Sequence, residues 1–328
     1  MNFFISGLTP LTFLCASEIV KPGDTVNLVD FKNTWSNEDY NSDRDNLKFW
    51  EDLIADFYNI RIKRQATIRW YCPPKQIRTS KPKYLDKLDL HIDNYSYVSD
   101  NLFDLISAQG INRKLISIPE GASCFSNVNL GQKRFIKSGL SKIYRLILRK
   151  NIEKSHSYLL TDADGQIKKK LENQKNISFY DHQKLRKGIT NLSKFLFDKF
   201  PELEEFSNCK FVHPLMDQHS RNELYEYLEK VSKKIESENI FIKPRSRDAS
   251  DYSDIESRYN NFKILPKRYR PLPAEIFLND KDQKYIGYYS TLMLFFQKDK
   301  RILIEPLSNN VKDLHLSSYK NLINFLVI

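Results

Sequence analysis

Apolar residues in the first half of the chain fall into short runs that alternate with amphipathic stretches. Residues 2–8 (NFFISGL) lead into 11–20 (LTFLCASEIV), and 25–31 (TVNLVDF) into 46–58 (NLKFWEDLIADFY). Residues 96–100 (SYVSD) lead into 101–110 (NLFDLISAQG), and 114–121 (KLISIPEG) into a long basic segment. Another β-rich run, 66–71 (ATIRWY), opens onto a polar stretch of proline and lysine. Short runs that each feed a helix predict a parallel sheet with its functional loops at the carboxyl ends of the strands. Pro119, Glu120 and Gly121 then fall at one such end.

The stretch from 130 to 195 is rich in Lys, Arg and Asn and carries a helical pattern over 137–151 (KSGLSKIYRLILRKN). Its run of Lys168, Lys169 and Lys170 reads as a solvated face. The polar segment 200–208 (FPELEEFSN) marks a boundary, and the alternation resumes after it. Residues 210–215 (KFVHPL) precede a helix over 221–237 in which Leu224, Tyr227, Leu228, Val231 and Ile235 share one stripe. There follow a strand from 239 running into the basic turn KPRSRD, a strand at 262–266 and a turn over PLPAEIFL. A strand at 284–290 (KYIGYYS), a helix over 291–299, a strand at 302–307 and a helix over 316–328 complete the pattern. It contains no repeat, heptad or membrane-spanning run, and it predicts a first domain over 1–200, a second over 201–308 and a tail over 309–328.

Length supports that division, because 328 residues suit two domains of roughly 150 each with a cleft between them. With 41% hydrophobic residues and only 9 glycines, each half can build a core without disulfide or metal staples. The net charge of +11 favours an anionic partner, whether nucleic acid, a membrane surface, a phosphorylated cofactor or an acidic glycan, without choosing among them. Cys15, Cys72, Cys124 and Cys209 have no CxxC spacing and read as reduced thiols. The apolar opening lacks a basic start and is broken by Gly7 and Pro10, so it reads as strand, turn and helix rather than leader or anchor. A cytoplasmic location is expected.

Neither GxGxxG nor a P-loop occurs. Cations and small hydroxyls at strand ends of the second half remain as candidates. Lys243, Arg245 and Arg247 follow the apolar IFI and could hold a phosphate by charge-assisted hydrogen bonds or form a solvated basic turn. Ser290 and Thr291 open the helix predicted after KYIGYY, which suits an anion, although both residue types are also ordinary N-caps. Glu275 could accept from ribose hydroxyls or pair with a neighbour such as Arg270. His213 reads either as a packed structural histidine or as a general acid or phosphate donor. Asp162 and Asp164, in TDADG, have the DxD form of a metal motif, but a turn is the preferred reading and no metal is expected.

In their order and spacing, FFISGLTPLTFL, ISIPEG, FIKPRSR, PAEIFL and GYYST resemble the bacterial sialyltransferases of GT-B type, particularly the lipooligosaccharide sialyltransferases and capsular polysialyltransferases. The resemblance implies an α/β fold of two Rossmann-like domains whose parallel sheets face a central cleft, with a C-terminal helix packing across them. It further implies metal-independent, inverting transfer of sialic acid or a related nonulosonic acid from its CMP donor to a capsule or lipooligosaccharide glycan. No cofactor is implied beyond the CMP-sugar co-substrate. Carried over residue by residue, Glu120 is the base that takes the acceptor proton, and Ser290 and Thr291 hold the phosphate. Two positions depart from the family pattern. Pro119 stands where the first acidic residue belongs, and Arg245-Ser246 replaces a His-Pro pair. A guanidinium holds phosphate but cannot act as an acid near neutral pH, which leaves His213 as the candidate to compensate.

The leading expectation is therefore a CMP-sugar-dependent glycosyltransferase with Glu120 as base. Lys243, Arg245, Arg247, Ser290 and Thr291 would grip the donor phosphate and Glu275 its ribose. Its partners would be a CMP-activated sugar, a glycan acceptor and an anionic inner membrane surface touched peripherally, with no nucleic acid. The alternatives are a GT-B transferase using another nucleotide sugar, a basic nucleic-acid-binding or scaffold protein, and a transferase that has lost catalysis.

Overall fold

The computed structural model describes residues 2–5, 10–22, 24–28, 31–32, 37–64, 68–69, 95–99, 114–119, 156–175, 177–215, 221–245, 248, 250–279 and 282–304. The chain divides into two compact units, residues 1–159 with 174–178, and residues 160–173 with 179–328.

In the first unit β1 (Asn2–Ile5) leads into α1 (Pro10–Ser17), and β2 (Thr25–Leu28) and β3 (Phe31–Lys32) precede α2 (Asn37–Tyr58). Next come β4 (Arg61–Arg64), β5 (Ile68–Arg69), β6 (Tyr95–Ser99), β7 (Lys114–Ile118) and β8 (His156–Leu159). Pro10 suits the first helical position because its missing N–H would have no partner there. Leu11, Leu14, Cys15 and Ala16 of α1 are buried, as are Trp50, Leu53 and Ile54 of α2. Among the described residues seven strands form one sheet, ordered β4-β2-β1-β6-β7-β8-β9, where β9 is Ile177–Phe179. β1 pairs in parallel with β2 and β6, β2 with β4, β6 with β7, and β7 with β8. Among the described residues the expected strand at 66–71 contributes β5, paired with β3 in a separate ribbon. Beside β2 lies Arg61–Arg64, a strand not read from the sequence, whose three basic residues suit an edge because charge there discourages further pairing.

The second unit begins with α3 (Gln166–Leu171) and α4 (His182–Lys199), then α5 (Glu204–Ser207), β10 (Phe211–Pro214), α6 (Arg221–Ile235) and β11 (Ile240–Lys243). It continues through α7 (Ser253–Arg258), β12 (Phe262–Ile264), β13 (Lys284–Gly287) and β14 (Arg301–Leu303). The strand order is β12-β11-β10-β13-β14, with every pairing parallel. One face of the sheet buries the predicted stripe of α6, Leu224, Tyr227, Leu228, Val231 and Ile235, against Phe211, Ile240, Ile242 and Ile286. Phe206, Phe241 and Phe277 cluster elsewhere in the unit with ring centroids 4.9–6.0 Å apart.

The boundary lies at Leu159/Leu160, not near 200. α4 causes the difference. Asp181 caps it by accepting from the Lys184 N–H, and Leu185, Ile189, Leu192 and Leu196 form a buried stripe at helical spacing. Ser193 also bonds through its hydroxyl to the Ile276 carbonyl, so the helix belongs to the second core. The helix expected over 291–299 is instead two 3-10 segments, Thr291–Phe295 and Lys298–Lys300. The first buries Leu292, Met293, Leu294 and Phe295 together, which leaves no polar face for a solvated α-helix. The helices expected over 101–110, 137–151 and 316–328, and Cys72 and Cys124, lie outside the described residues. Among the described residues, no helix is long and apolar enough to cross a membrane.

Candidate phosphate-binding site at the carboxyl end of the second sheet

The strand order of the second unit reverses between β10 and β13, and loops leaving adjacent strands at such a point diverge to opposite faces and open a crevice. A cavity of about 180 Å³ lies there, lined by Pro214 and Leu215 at the end of β10, Lys243, Pro244 and Arg245 at the end of β11, and Tyr288, Tyr289 and Ser290 after β13. Three of the sequence candidates, Lys243, Arg245 and Ser290, thus line one cavity.

Lys243 is only 7% exposed. Its Nζ donates to the Pro244 carbonyl at 2.6 Å and the Arg270 carbonyl at 2.7 Å. Burial lowers its pKa to about 7, against the opposing pull of Glu275. Glu275, in the 3-10 turn Ala274–Phe277, is itself buried, and burial raises its pKa while Lys243 opposes the rise. The charge facing Glu275 is therefore Lys243. Arg270, the neighbour expected from sequence, instead lies 4.0 Å from the Asp248 carboxylate and donates to the Asp248 and Leu265 carbonyls.

That second network shapes the turn after β11. Asp248 accepts from the Ser250 N–H at 2.9 Å and from the Tyr252 hydroxyl, while Arg270 stacks over the Tyr252 ring at 5.1 Å. Asp248, Tyr252 and Arg270 are buried, and of these Asp248 and Tyr252 were not singled out from the sequence; the acidic residue closing KPRSRD was the available signal.

Ser290 precedes the 3-10 segment beginning at Thr291, and its hydroxyl is 3.0 Å from the Tyr285 hydroxyl. Tyr285 gives its own proton to the Tyr288 carbonyl, so Ser290 is the donor in this pair. An incoming phosphate would compete for that proton. Thr291 is next in sequence but does not line the cavity.

His213 is placed differently from a general acid. It is fully buried, with Nδ1 2.9 Å from the Ile286 carbonyl, so that nitrogen carries the proton. Its ring packs against Tyr227 and Tyr288, at 5.5 and 6.2 Å between centroids. Strand alternation puts it on the face covered by α6, beneath the cavity rather than in its wall. Gly287 makes room for it. With φ +146°, a Cβ at this position would lie 2.8 Å from His213 Nδ1. Glu120 and Arg247 lie outside the described residues, whereas Pro119 is buried immediately after β7.

The DxD stretch forms a turn. Asp162 accepts from the Ile167 N–H at 2.8 Å, and Asp164 accepts from the Lys298 N–H and Arg301 Nη2. Among the described residues, no group of three or more His, Cys, Asp or Glu side chains could hold a metal.

No protein-family model matches the sequence, and no curated protein matches it. The structure does have neighbours. The GT-B domain of a sialyltransferase from Photobacterium damselae superposes with a TM-score of 0.51 at 12% identity, covering 99% of this chain and 97% of that one. The fold is of GT-B type. A sialyltransferase structure from Photobacterium damsela gives a TM-score of 0.50 at 11% identity over 100% of this chain and 79% of that one. Identities this low carry the GT-B architecture and not the residues of a site. The cavity at the β10/β13 switch point is thus a feature of this chain's own GT-B-type second unit.

Proposed function

We propose that the chain is a glycosyltransferase that moves sialic acid or a related nonulosonic acid from its CMP donor to a cell-surface glycan, capsule or lipooligosaccharide, with inversion and without a metal. The observation that carries this reading is the convergence of Lys243, Arg245 and Ser290 on one cavity at the switch point of a GT-B-type unit. At about 180 Å³ the cavity falls below the roughly 300–1,000 Å³ of whole-ligand pockets, so it suits the phosphate and an adjoining ring of a donor rather than the entire molecule.

Departure of CMP places negative charge on the phosphate, and fixed donors aimed at developing charge are commonly the largest catalytic contribution. Arg245 supplies a permanent positive charge and Ser290 a hydroxyl proton. Lys243 adds a charge that depends on the ligand. Two of its N–H groups serve carbonyls, and a phosphate favours the ammonium form, which has a third. Donor binding should therefore take up a proton near neutral pH and weaken as pH rises above about 7. Glu120 completes the reaction by removing the acceptor hydroxyl proton.

Thermal unfolding of the full chain with CMP, UDP and GDP tests this reading, since a ligand at 100 times its Kd stabilises by roughly 2.7 kcal/mol. CMP should raise Tm while UDP and GDP do not. Glu120→Gln should keep the CMP shift and lose turnover of a CMP-sugar by about 10²–10⁴-fold, with EDTA leaving the wild-type rate unchanged. A shift with UDP and none with CMP would overturn the donor, and a fully active Glu120→Gln protein would overturn the base.

A further inference from the structure

The second unit contains a larger cavity of about 650 Å³ that the proposed transfer reaction does not use. It lies at the opposite end of the same sheet. Gln283 and Lys300, which immediately precede β13 and β14, line it, whereas the first cavity begins at Tyr288, just after β13 ends. Four strand residues separate the two, about 13 Å at 3.3 Å per residue, so they are distinct sites.

The lining has a clear chemical bias. Arg186, Lys187, Lys194 and Lys300 contribute four cations, and no carboxylate lines the cavity among the described residues. Three acids lie nearby without lining it: Asp162 and Asp181 accept backbone N–H groups at the starts of α3 and α4, Asp164 is held by Arg301 and the Lys298 N–H, and all three pull on His182 in the lining. The four lining cations outnumber the carboxylates nearby, Asp162, Asp164 and Asp181, of which Asp164 is already paired with Arg301, so the concave surface carries a net positive field. Between the cations stand side-chain amides, Gln183 and Asn191 from α4 facing Asn279 and Gln297 from the other wall. Gln183, Asn191 and Gln297 each offer donors and an acceptor, the pairing a sugar hydroxyl requires, while Asn279 donates through Nδ2 to the Ser207 carbonyl and contributes its Oδ1.

We propose that this cavity binds an anionic saccharide, one or two sugar rings bearing carboxylate, sulfate or phosphate groups. A lone inorganic anion would leave most of 650 Å³ and the amides without a role. Single-stranded nucleic acid would call for exposed aromatic platforms on which its bases stack, and Phe295 and Phe296 are each only 5% exposed. The cations meet the acidic groups, the amides meet the hydroxyls, and the two buried phenylalanines add apolar contact. This binding is independent of the chemistry at the first cavity.

The test uses the full chain on an array of neutral, carboxylated, sulfated and phosphorylated oligosaccharides, followed by calorimetric titration of the best-bound glycan. Lys187→Glu/Lys194→Glu reverses two solvated charges on the exposed side of α4, and Lys168→Glu/Lys169→Glu reverses two exposed charges on α3, outside the cavity. Retention of an anionic class but not neutral glycans is expected. The α4 double variant should lose roughly tenfold or more in affinity at unchanged Tm, while the α3 double variant stays within about twofold. CMP binding should be the same in all three proteins, which keeps a failure here distinct from a failure of the transferase reading. Retention of no anionic glycan, equal losses in both double variants, or competition by inorganic phosphate at the glycan's own affinity would overturn the proposal.

Discussion

The two ends of the second sheet hold their cations in opposite ways. At the carboxyl end Lys243 is buried, bonded to two carbonyls and lowered to about pKa 7. At the amino end Lys187 and Lys194 stand in solvent on one side of α4. A buried cation is part of the fold, and its charge state answers to whatever anion arrives beside it. A solvated cation supplies field and little else, so its loss leaves the fold intact. Substitutions at the carboxyl end should therefore change stability and binding together, and those at the amino end binding alone.

The most severe break of this contrast is Arg270→Ala. It strips the Asp248 carbonyl and carboxylate of a buried partner and frees the turn that carries Arg245, so we expect a loss of about 3 kcal/mol in urea unfolding together with loss of the CMP-induced Tm shift. Lys194→Ala, at the other end, should stay within about 0.5 kcal/mol. Gly287→Ala comes next, at about 2 kcal/mol, because the new Cβ must adopt φ +146° and displace the His213 ring from 2.8 Å. An unchanged unfolding midpoint in that variant would mean that His213 is not packed as described.

A third comparison is in pH. A lysine lowered from 10.5 to about 7 binds fewer protons folded than unfolded between those values, so wild-type stability should rise with pH across that window relative to Lys243→Met, by at most about 1.4 kcal/mol per pH unit. Glu275 works in the opposite sense, its raised pKa costing stability as pH increases above 4.5, and because Lys243 opposes that rise the cost is greater in Lys243→Met, which widens the same difference. Parallel stability curves for the two proteins from pH 7 to 10 would show that the ammonium is not desolvated. The smallest effect is expected for Ser290→Ala. Roughly 1 kcal/mol of CMP affinity should go, read by calorimetry, with little change in Tm, because among the described residues its hydroxyl bonds to Tyr285 alone before the phosphate arrives.

How far these features could be read from sequence follows the range of the interactions behind them. The α6 stripe from Leu224 to Ile235 and the strand ends at Lys243 and Ser290 are local patterns, and they were legible as periodicity and as strand-to-turn transitions. α4 carries an equally regular stripe, Leu185, Ile189, Leu192 and Leu196, but it lies within a segment whose Lys, Arg and Asn content masked it. The edge strand RIKR has no apolar alternation at all, because an edge does not require it. The Lys243–Glu275 and Arg270–Asp248 relationships join residues 22 to 32 positions apart through burial, which no local pattern encodes. For the same reason His213 could be read equally as acid or as core, and only strand alternation with Gly287 beside it assigns it to packing.

The account rests on Lys243 and Arg245 meeting the donor phosphate at the carboxyl end of the sheet. Calorimetric titration of a non-hydrolysable CMP-sugar at pH 7 and pH 9 into wild type, Lys243→Met/Arg245→Ala and Lys187→Glu/Lys194→Glu tests this most directly. Wild type should bind more weakly at pH 9, the Lys243→Met/Arg245→Ala protein should lose about a hundredfold at pH 7, and the α4 variant should match wild type. Wild-type affinity in the Lys243→Met/Arg245→Ala protein would contradict it.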